Sequence, residues 1–233
     1  MSGKGRGMGV ERTPEDFRAA ISAATVKVIG YPADLEKVGM GVLAGNGYLV
    51  TAAHCLEFDN DTGARITIGE HVFYEIETAQ GEHLKAAPVF IESISDIAVL
   101  GPLDPDAYPG EWVEAYESFC ARTRPAPLWR MGPASAPAST EFQVHIYTHE
   151  KSWISGKARV RQAGRPNLWI RADRNIEGGT SGGPIVNDSG ELVSVVSTAG
   201  GYLDITKEGH PPLLKWALPA WIYRAICGFP RRR

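Results

Sequence analysis

Cysteine is scarce in this chain. Cys55, Cys120 and Cys227 are the three it has, and none stands in a Cys-x-x-Cys spacing. A zinc ribbon or thioredoxin-type dithiol is therefore not expected, and an odd, sparse set argues against the disulfide framework of a small secreted protein. Long apolar runs are missing too. No stretch approaches the roughly 18 residues of a membrane span, and the opening MSGKGRGMGVERTPEDF lacks the apolar centre of a signal peptide. With Met1 as the native start, the expected location is cytoplasmic. There is no basic excess: 24 Lys and Arg against 27 Asp and Glu leave a net charge of −3. A nucleic-acid partner is not expected on that balance, nor is a membrane.

What is present suits a globular β protein. Of 233 residues, 43% are hydrophobic and 22% charged, enough for a core, and 26 Gly with 16 Pro imply many turns between short elements. Residues 1–12 read as a Gly-rich arm. Thr13, Pro14 and Asp16 mark a helix start, with Phe17, Ala20 and Ile21 facing inward and an end near Ser22. Strands are predicted at Thr25–Ile29, Val38–Leu43, Tyr48–Thr51, Arg65–Ile68, Phe73–Thr78, Ala87–Ile91 and Ile97–Leu100, with Asn46-Gly47 as a hairpin turn. A turn-rich stretch, a short helix over Glu111–Cys120 and a Pro/Ala/Ser linker follow. Strands resume at Phe142–Thr148, Trp153–Val160, Asn167–Ile170, Pro184–Val186 and Leu192–Ser197, with one more at Leu213–Ala217. Pro219 opens a last helix with Trp221, Ile222, Ala225 and Ile226 on one face. The expected division is an arm and helix over 1–22, a first β unit over 23–120, a linker over 121–140, a second β unit over 141–223 and a basic tail over 224–233.

Three segments carry chemistry: Val50-Thr51-Ala52-Ala53-His54-Cys55 after a strand, Ser95-Asp96-Ile97-Ala98-Val99-Leu100 with an acid opening an apolar strand, and Gly178-Gly179-Thr180-Ser181-Gly182-Gly183-Pro184. Each has a plainer reading. The histidine could be a core or surface residue, the aspartate a turn residue, and the glycine run a flexible loop or a phosphate nest. No Lys follows that run and no helix is predicted after it, which disfavours phosphate. The order His, Asp, Ser is that of β-barrel serine hydrolases.

TAAHC, SDIAVL and GGTSGGP, in that order, resemble the signature blocks of trypsin/chymotrypsin-like serine proteases. Gly47–Thr51 before the histidine and Trp216–Pro219 before the last helix are most similar to the bacterial HtrA-like branch, without a following PDZ domain. The resemblance spans about residues 24–223. It implies an all-β fold of two six-stranded antiparallel barrels with short N- and C-terminal helices. It also implies a serine endopeptidase with His54, Asp96 and Ser181 as catalytic residues, an oxyanion hole of Gly179 and Ser181, and Ser197 supporting the aspartate. No cofactor or metal is expected. Catalytically silent binding modules and esterases share this framework and remain alternatives.

The chemistry fits the residue types. A serine hydroxyl is a weak nucleophile until a base takes its proton; an imidazole can do so and return it to the leaving amine. An aspartate beside the ring fixes its tautomer. Oxyanion donors are worth about 3–4 kcal/mol in the transition state. Cys55 follows the histidine as in secreted trypsins, but residues 38–43 hold no cysteine to pair with it, so a buried free thiol is expected. The resemblance places the substrate pocket at Asn175 and Ile176 on one side and Val196 and Ala199 on the other. None is acidic, so a basic side chain before the cut is disfavoured and a small or medium apolar one favoured. Arg171 and Arg174 keep an acidic preference open. The partners expected are a protein or peptide substrate and a regulatory protein. His145 and His149, four apart on a predicted strand, read as scattered surface histidines rather than a metal pair. Arg122, Arg124 and Arg130 with Trp129 read as a solvated linker.

One prediction follows from Thr180. In trypsin-like zymogens the residue before the serine is an aspartate that receives a newly cut α-amino group. Thr180 has no charge for that role, and an unpaired buried ammonium would cost several kcal/mol. The active species should therefore retain its N-terminus. Intact mass of the labelled, active protein should show no cut between about residues 12 and 30; activity confined to cut molecules would contradict this.

Overall fold

A computed structural model describes residues 14–29, 38–56, 73–92, 96–129, 140–162, 166–174, 176–197 and 213–214. The first element is helix α1 (Pro14–Ala24). Its Phe17, Ile21 and Ala24 fall on one face and are buried together. The helix begins at Pro14, as expected, and runs on past Ser22. Thr25 closes it by donating its Oγ1 hydrogen to the Ile21 carbonyl at 2.7 Å.

Six strands follow: β1 (Thr25–Ile29), β2 (Val38–Ala44), β3 (Tyr48–Thr51), β4 (Tyr74–Glu77), β5 (His83–Glu92) and β6 (Ile97–Gly101). They close an antiparallel barrel in the order β1-β2-β3-β6-β5-β4. Asn46 and Gly47 turn β2 into β3 with φ of 61° and 80°, the left-handed values that this dipeptide adopts most readily. Helix α2 (Gly110–Arg122) buries Val113, Tyr116 and Phe119 on one face and packs against β5.

The second sheet contains β7 (Glu141–Tyr147), β8 (Trp153–Gln162), β9 (Pro166–Ala172), β10 (Pro184–Asn187), β11 (Leu192–Val195) and β12 (Leu213–Leu214). It is ordered β11-β10-β7-β8-β9-β12. The architecture is all-β in two sheets, as the sequence implied. The expected strand at 65–68 and the helix from Pro219 lie outside the described residues.

Two expectations are corrected. The linker is not simply solvated. Its Ala126 N–H donates to Leu43 O at 2.8 Å in the barrel, and its Pro127 carbonyl accepts from Leu192 N–H at 2.7 Å in the second sheet. Trp129 is buried in the second core, its ring 5.0 Å from that of Phe142, because an indole gains more from that core than from water. His145 is not a surface histidine. It is buried on β7, where its Nδ1 accepts from Arg18 Nη2 at 3.2 Å and its Nε2–H donates to Asp188 Oδ1 at 2.9 Å. A guanidinium can only donate, so the tautomer is set. His149 lies beyond the end of β7, and the same-face argument does not reach it.

Helix α1 and the linker thus tie the two sheets together. Gly190, in the β10–β11 turn, receives Phe17 so closely that a Cβ there would lie 2.5 Å from the Phe17 Cβ.

Phe119, fully buried between α2 and the barrel, anchors that helix. Phe119→Ala should lower stability in urea by about 3–5 kcal/mol. Glu114→Ala, on the exposed face of the same helix, should change it by no more than about 0.5 kcal/mol.

Candidate active site

Strand β3 ends at Thr51, and the chain turns into a single 3-10 turn, Ala53–Leu56, that carries His54. Hydrogen bonds to Asp96, at the start of β6, hold the turn in place. Ala53 N–H donates to the Asp96 carbonyl at 3.1 Å and His54 N–H to Asp96 Oδ1 at 2.9 Å. Asp96 has φ of 53°, a left-handed conformation in which aspartate is enriched among non-glycine residues.

The Asp96 carboxylate is 2% exposed, and three donors offset its desolvation. Besides the His54 N–H, His54 Nδ1–H donates to Oδ2 at 2.7 Å and Ser197 Oγ–H donates to Oδ2 at 2.6 Å. With its Nδ1 proton held by Asp96, His54 can exchange a proton at Nε2. Ser197 follows β11, so the second sheet completes a pair formed by the first barrel.

Ser181 precedes β10 of the second sheet. Its carbonyl accepts Met40 N–H from β2 at 2.7 Å. Gly182 has φ of 82°, and a Cβ there would meet Met40 O at 1.9 Å; only glycine allows that approach. Gly182 N–H donates to Val196 O at 2.7 Å and Val196 N–H to Gly183 O at 2.8 Å. On the other side of the serine, Glu177–Thr180 form a turn with Thr180 N–H to Glu177 O at 3.4 Å. Gly179 takes φ of 87°, as the third position of a type II turn requires.

Cys55 lies between these groups, buried and reduced. Its Sγ is 3.9 Å from His54 Nε2, and its S–H donates to the Ser181 carbonyl at 3.5 Å. The position opposite belongs to Gly39, where a Cβ would come within 2.3 Å of Sγ. The expected unpaired thiol is what the structure holds, because no side chain fits beside it.

The sequence profile of the trypsin-like peptidase domain family matches residues 39–195. That span is more than half of the chain and takes in His54, Asp96 and Ser181. The chain belongs to this family. Among solved structures, it is similar to the serine endoprotease from Yersinia pestis, with a TM-score of 0.56 and 18% identity over 94% of this chain and 67% of that one. No curated protein matches the chain in sequence.

Within this peptidase domain the pocket positions expected from the sequence are partly described. Val196 is 1% exposed and belongs to the second core, and Ile176 packs against it. Asn175 and Ala199 lie outside the described residues. Two neighbours of the site were not assigned a place in it from sequence: Met40, which docks the serine turn, and His149, whose Nδ1 lies 3.0 Å from Thr180 Oγ1. No local pattern links residue 149 to residue 180.

Burial alone lowers the pKa of His54. The hydrogen bonds to Asp96 and Cys55, and the charge of the Asp96 carboxylate, overcome this and push it up from 6.5 to about 10. Because the folded value is the higher one, the interaction stabilises the fold in full below about pH 6.5 and is lost as pH rises through about 10. In NMR titration of Ser181→Ala, the His54 ring should titrate far above 6.5. Asp96→Asn should bring it back down; a normal value in the parent would contradict the pairing.

Proposed function

We propose that this chain is a serine endopeptidase in which Ser181 is the nucleophile, His54 the general base and acid, and Asp96 the group that orients His54. The observation that carries this reading is the buried Asp96 carboxylate, which accepts His54 Nδ1–H at 2.7 Å and Ser197 Oγ–H at 2.6 Å. A buried carboxylate so disposed fixes the ring tautomer and stabilises the imidazolium.

In the proposed reaction, Ser181 Oγ attacks the scissile carbonyl while His54 Nε2 takes its proton. The N–H groups of Gly179 and Ser181 receive the developing oxyanion. The tetrahedral species collapses, the C–N bond breaks, and His54 passes its proton to the departing amine. Water then enters, gives a proton to His54, and its oxygen attacks the acyl-enzyme. Acid is released and the proton returns to Ser181. The glycines on both sides of Ser181 serve this scheme, since Gly182 lets the turn seat on Met40 and Gly179 supplies the left-handed corner. The side chain recognised before the cut is small or medium and apolar, in keeping with Ile176 and Val196. The protein acts on peptide or protein substrates, under the control of a partner protein, of narrow specificity, or of an active site that is misassembled at rest.

A serine-directed phosphonate should label the intact protein at Ser181, and Ser181→Ala should abolish labelling. An unlabelled wild-type protein, with candidate activators added, would favour a silent binding module. Asp96→Asn should lower kcat by about 10⁴. Because His54 holds its proton well above pH 6.5, kcat/KM should rise on the alkaline side of the usual imidazole range. Cys55→Ala, which removes the sulfur beside Nε2, should shift that rise toward neutral pH. A peptide-library profile dominated by cleavage after Lys or Arg would overturn the pocket assignment.

A further inference from the structure

The nucleophile turn is held unevenly. On the C-terminal side of Ser181, short backbone bonds bind Gly182 to Val196 at 2.7 Å and Gly183 to Thr180 at 2.8 Å. On the N-terminal side, Glu177 to Thr180 is bridged by one long contact of 3.4 Å, and Gly178 has open space around it. This is the side that carries the Gly179 N–H. A glycine pair has little conformational preference of its own, so something else must select the orientation of that donor.

His149 is placed to do so. Its Nδ1 lies 3.0 Å from Thr180 Oγ1, and its backbone N–H donates to the same oxygen at 3.5 Å. Thr180 is fully buried, so its hydroxyl is presented to His149 from a fixed position. The ring also covers Gly179: a Cβ there would sit 3.5 Å from His149 Cγ and 3.7 Å from Cδ2. The histidine is itself anchored. It stands in a tight turn after β7, closed by Thr148 N–H to Ser152 O at 2.9 Å and Lys151 N–H to Thr148 O at 3.0 Å. Around the ring stand two carboxylates, Glu150 and Glu177, with an oxygen of each and a ring nitrogen within 4.8 Å of one another. These acids are exposed, and their pull is screened by water. His149 is exposed as well, and the buried end of its contact is the Thr180 hydroxyl.

We propose that His149 is a positioning residue that acts through Thr180, holding the Gly178–Thr180 turn so that the Gly179 N–H faces the reaction centre. This rests on the reading of Ser181 as nucleophile. An oxyanion donor acts chiefly in the transition state, so a loosened turn lowers kcat and leaves KM in place. The effect is bounded by the 10²–10³-fold loss seen when such a donor is removed altogether.

The test compares His149→Ala, His149→Asn, Thr180→Val and Thr180→Ser with the wild-type protein. His149→Ala and Thr180→Val should each lower kcat by about 10- to 100-fold with KM within about twofold, and weaken a peptide boronate in step. The double variant should be no worse than either single one, as for two members of one contact. His149→Asn and Thr180→Ser, which keep a polar partner at each end, should recover most of the rate. A second measurement does not depend on turnover: amide exchange over residues 177–181 should quicken in His149→Ala while β7 and β10 keep their protection. Wild-type labelling with unchanged kcat in His149→Ala would overturn the inference and leave the protease reading standing. A wild-type protein inert to the phosphonate would remove the protease reading, and with it the catalytic role given to His149. Unchanged exchange over 177–181 would overturn the positioning role in either case.

Discussion

A carboxylate that is 2% exposed has to find its partners within the protein, and Asp96 finds them on both sheets. The first barrel supplies the His54 N–H and Nδ1–H, and the second sheet supplies the Ser197 hydroxyl. Breaking any of these leaves a buried charge short of a donor, which is more expensive than losing an exposed contact. The carboxylate therefore does two things at once. It fixes the ring of His54, and it favours the relative placement of two sheets that meet elsewhere through α1 and the stretch 126–129.

The serine turn is seated by close backbone approach. Met40 receives the Ser181 carbonyl, and its own carbonyl accepts Thr51 Oγ1–H at 2.6 Å. Gly39 and Gly182 leave no room for a Cβ on either side of that contact. Small residues at these points let two backbones from different sheets come together, and the Cys55 thiol fills the remaining gap between His54 and Ser181. A cysteine packed in this way serves as a small apolar side chain with a weak donor, and its sulfur lies 3.9 Å from His54 Nε2.

Much of this was legible in the amino-acid order where the signal was local. The strands Thr25–Ile29 and Tyr48–Thr51 have the bounds expected of them, because alternation and flanking turn residues are short-range features. The helix expected over Glu111–Cys120 is found as Gly110–Arg122, and His54, Asp96 and Ser181 stood out through the blocks around them. The burial of Trp129 and of His145 was not visible. Both depend on partners elsewhere in the chain: Trp129 meets the Phe142 ring and the Leu192 carbonyl, and His145 is satisfied by Arg18 and Asp188.

The sequence by itself determined the element types, the turn at Asn46-Gly47, the family and the three residues proposed for catalysis, since each rests on residues within a few positions of one another. Tertiary structure decided what those residues do to each other. Only the closed barrel brings Asp96 to His54, and only the approach of the second sheet brings Ser197 to the same carboxylate, Met40 to Ser181 and His149 to Thr180. Those contacts span from about 31 to 141 positions of chain. Their distances follow from packing and desolvation across the sheets, which no local pattern encodes.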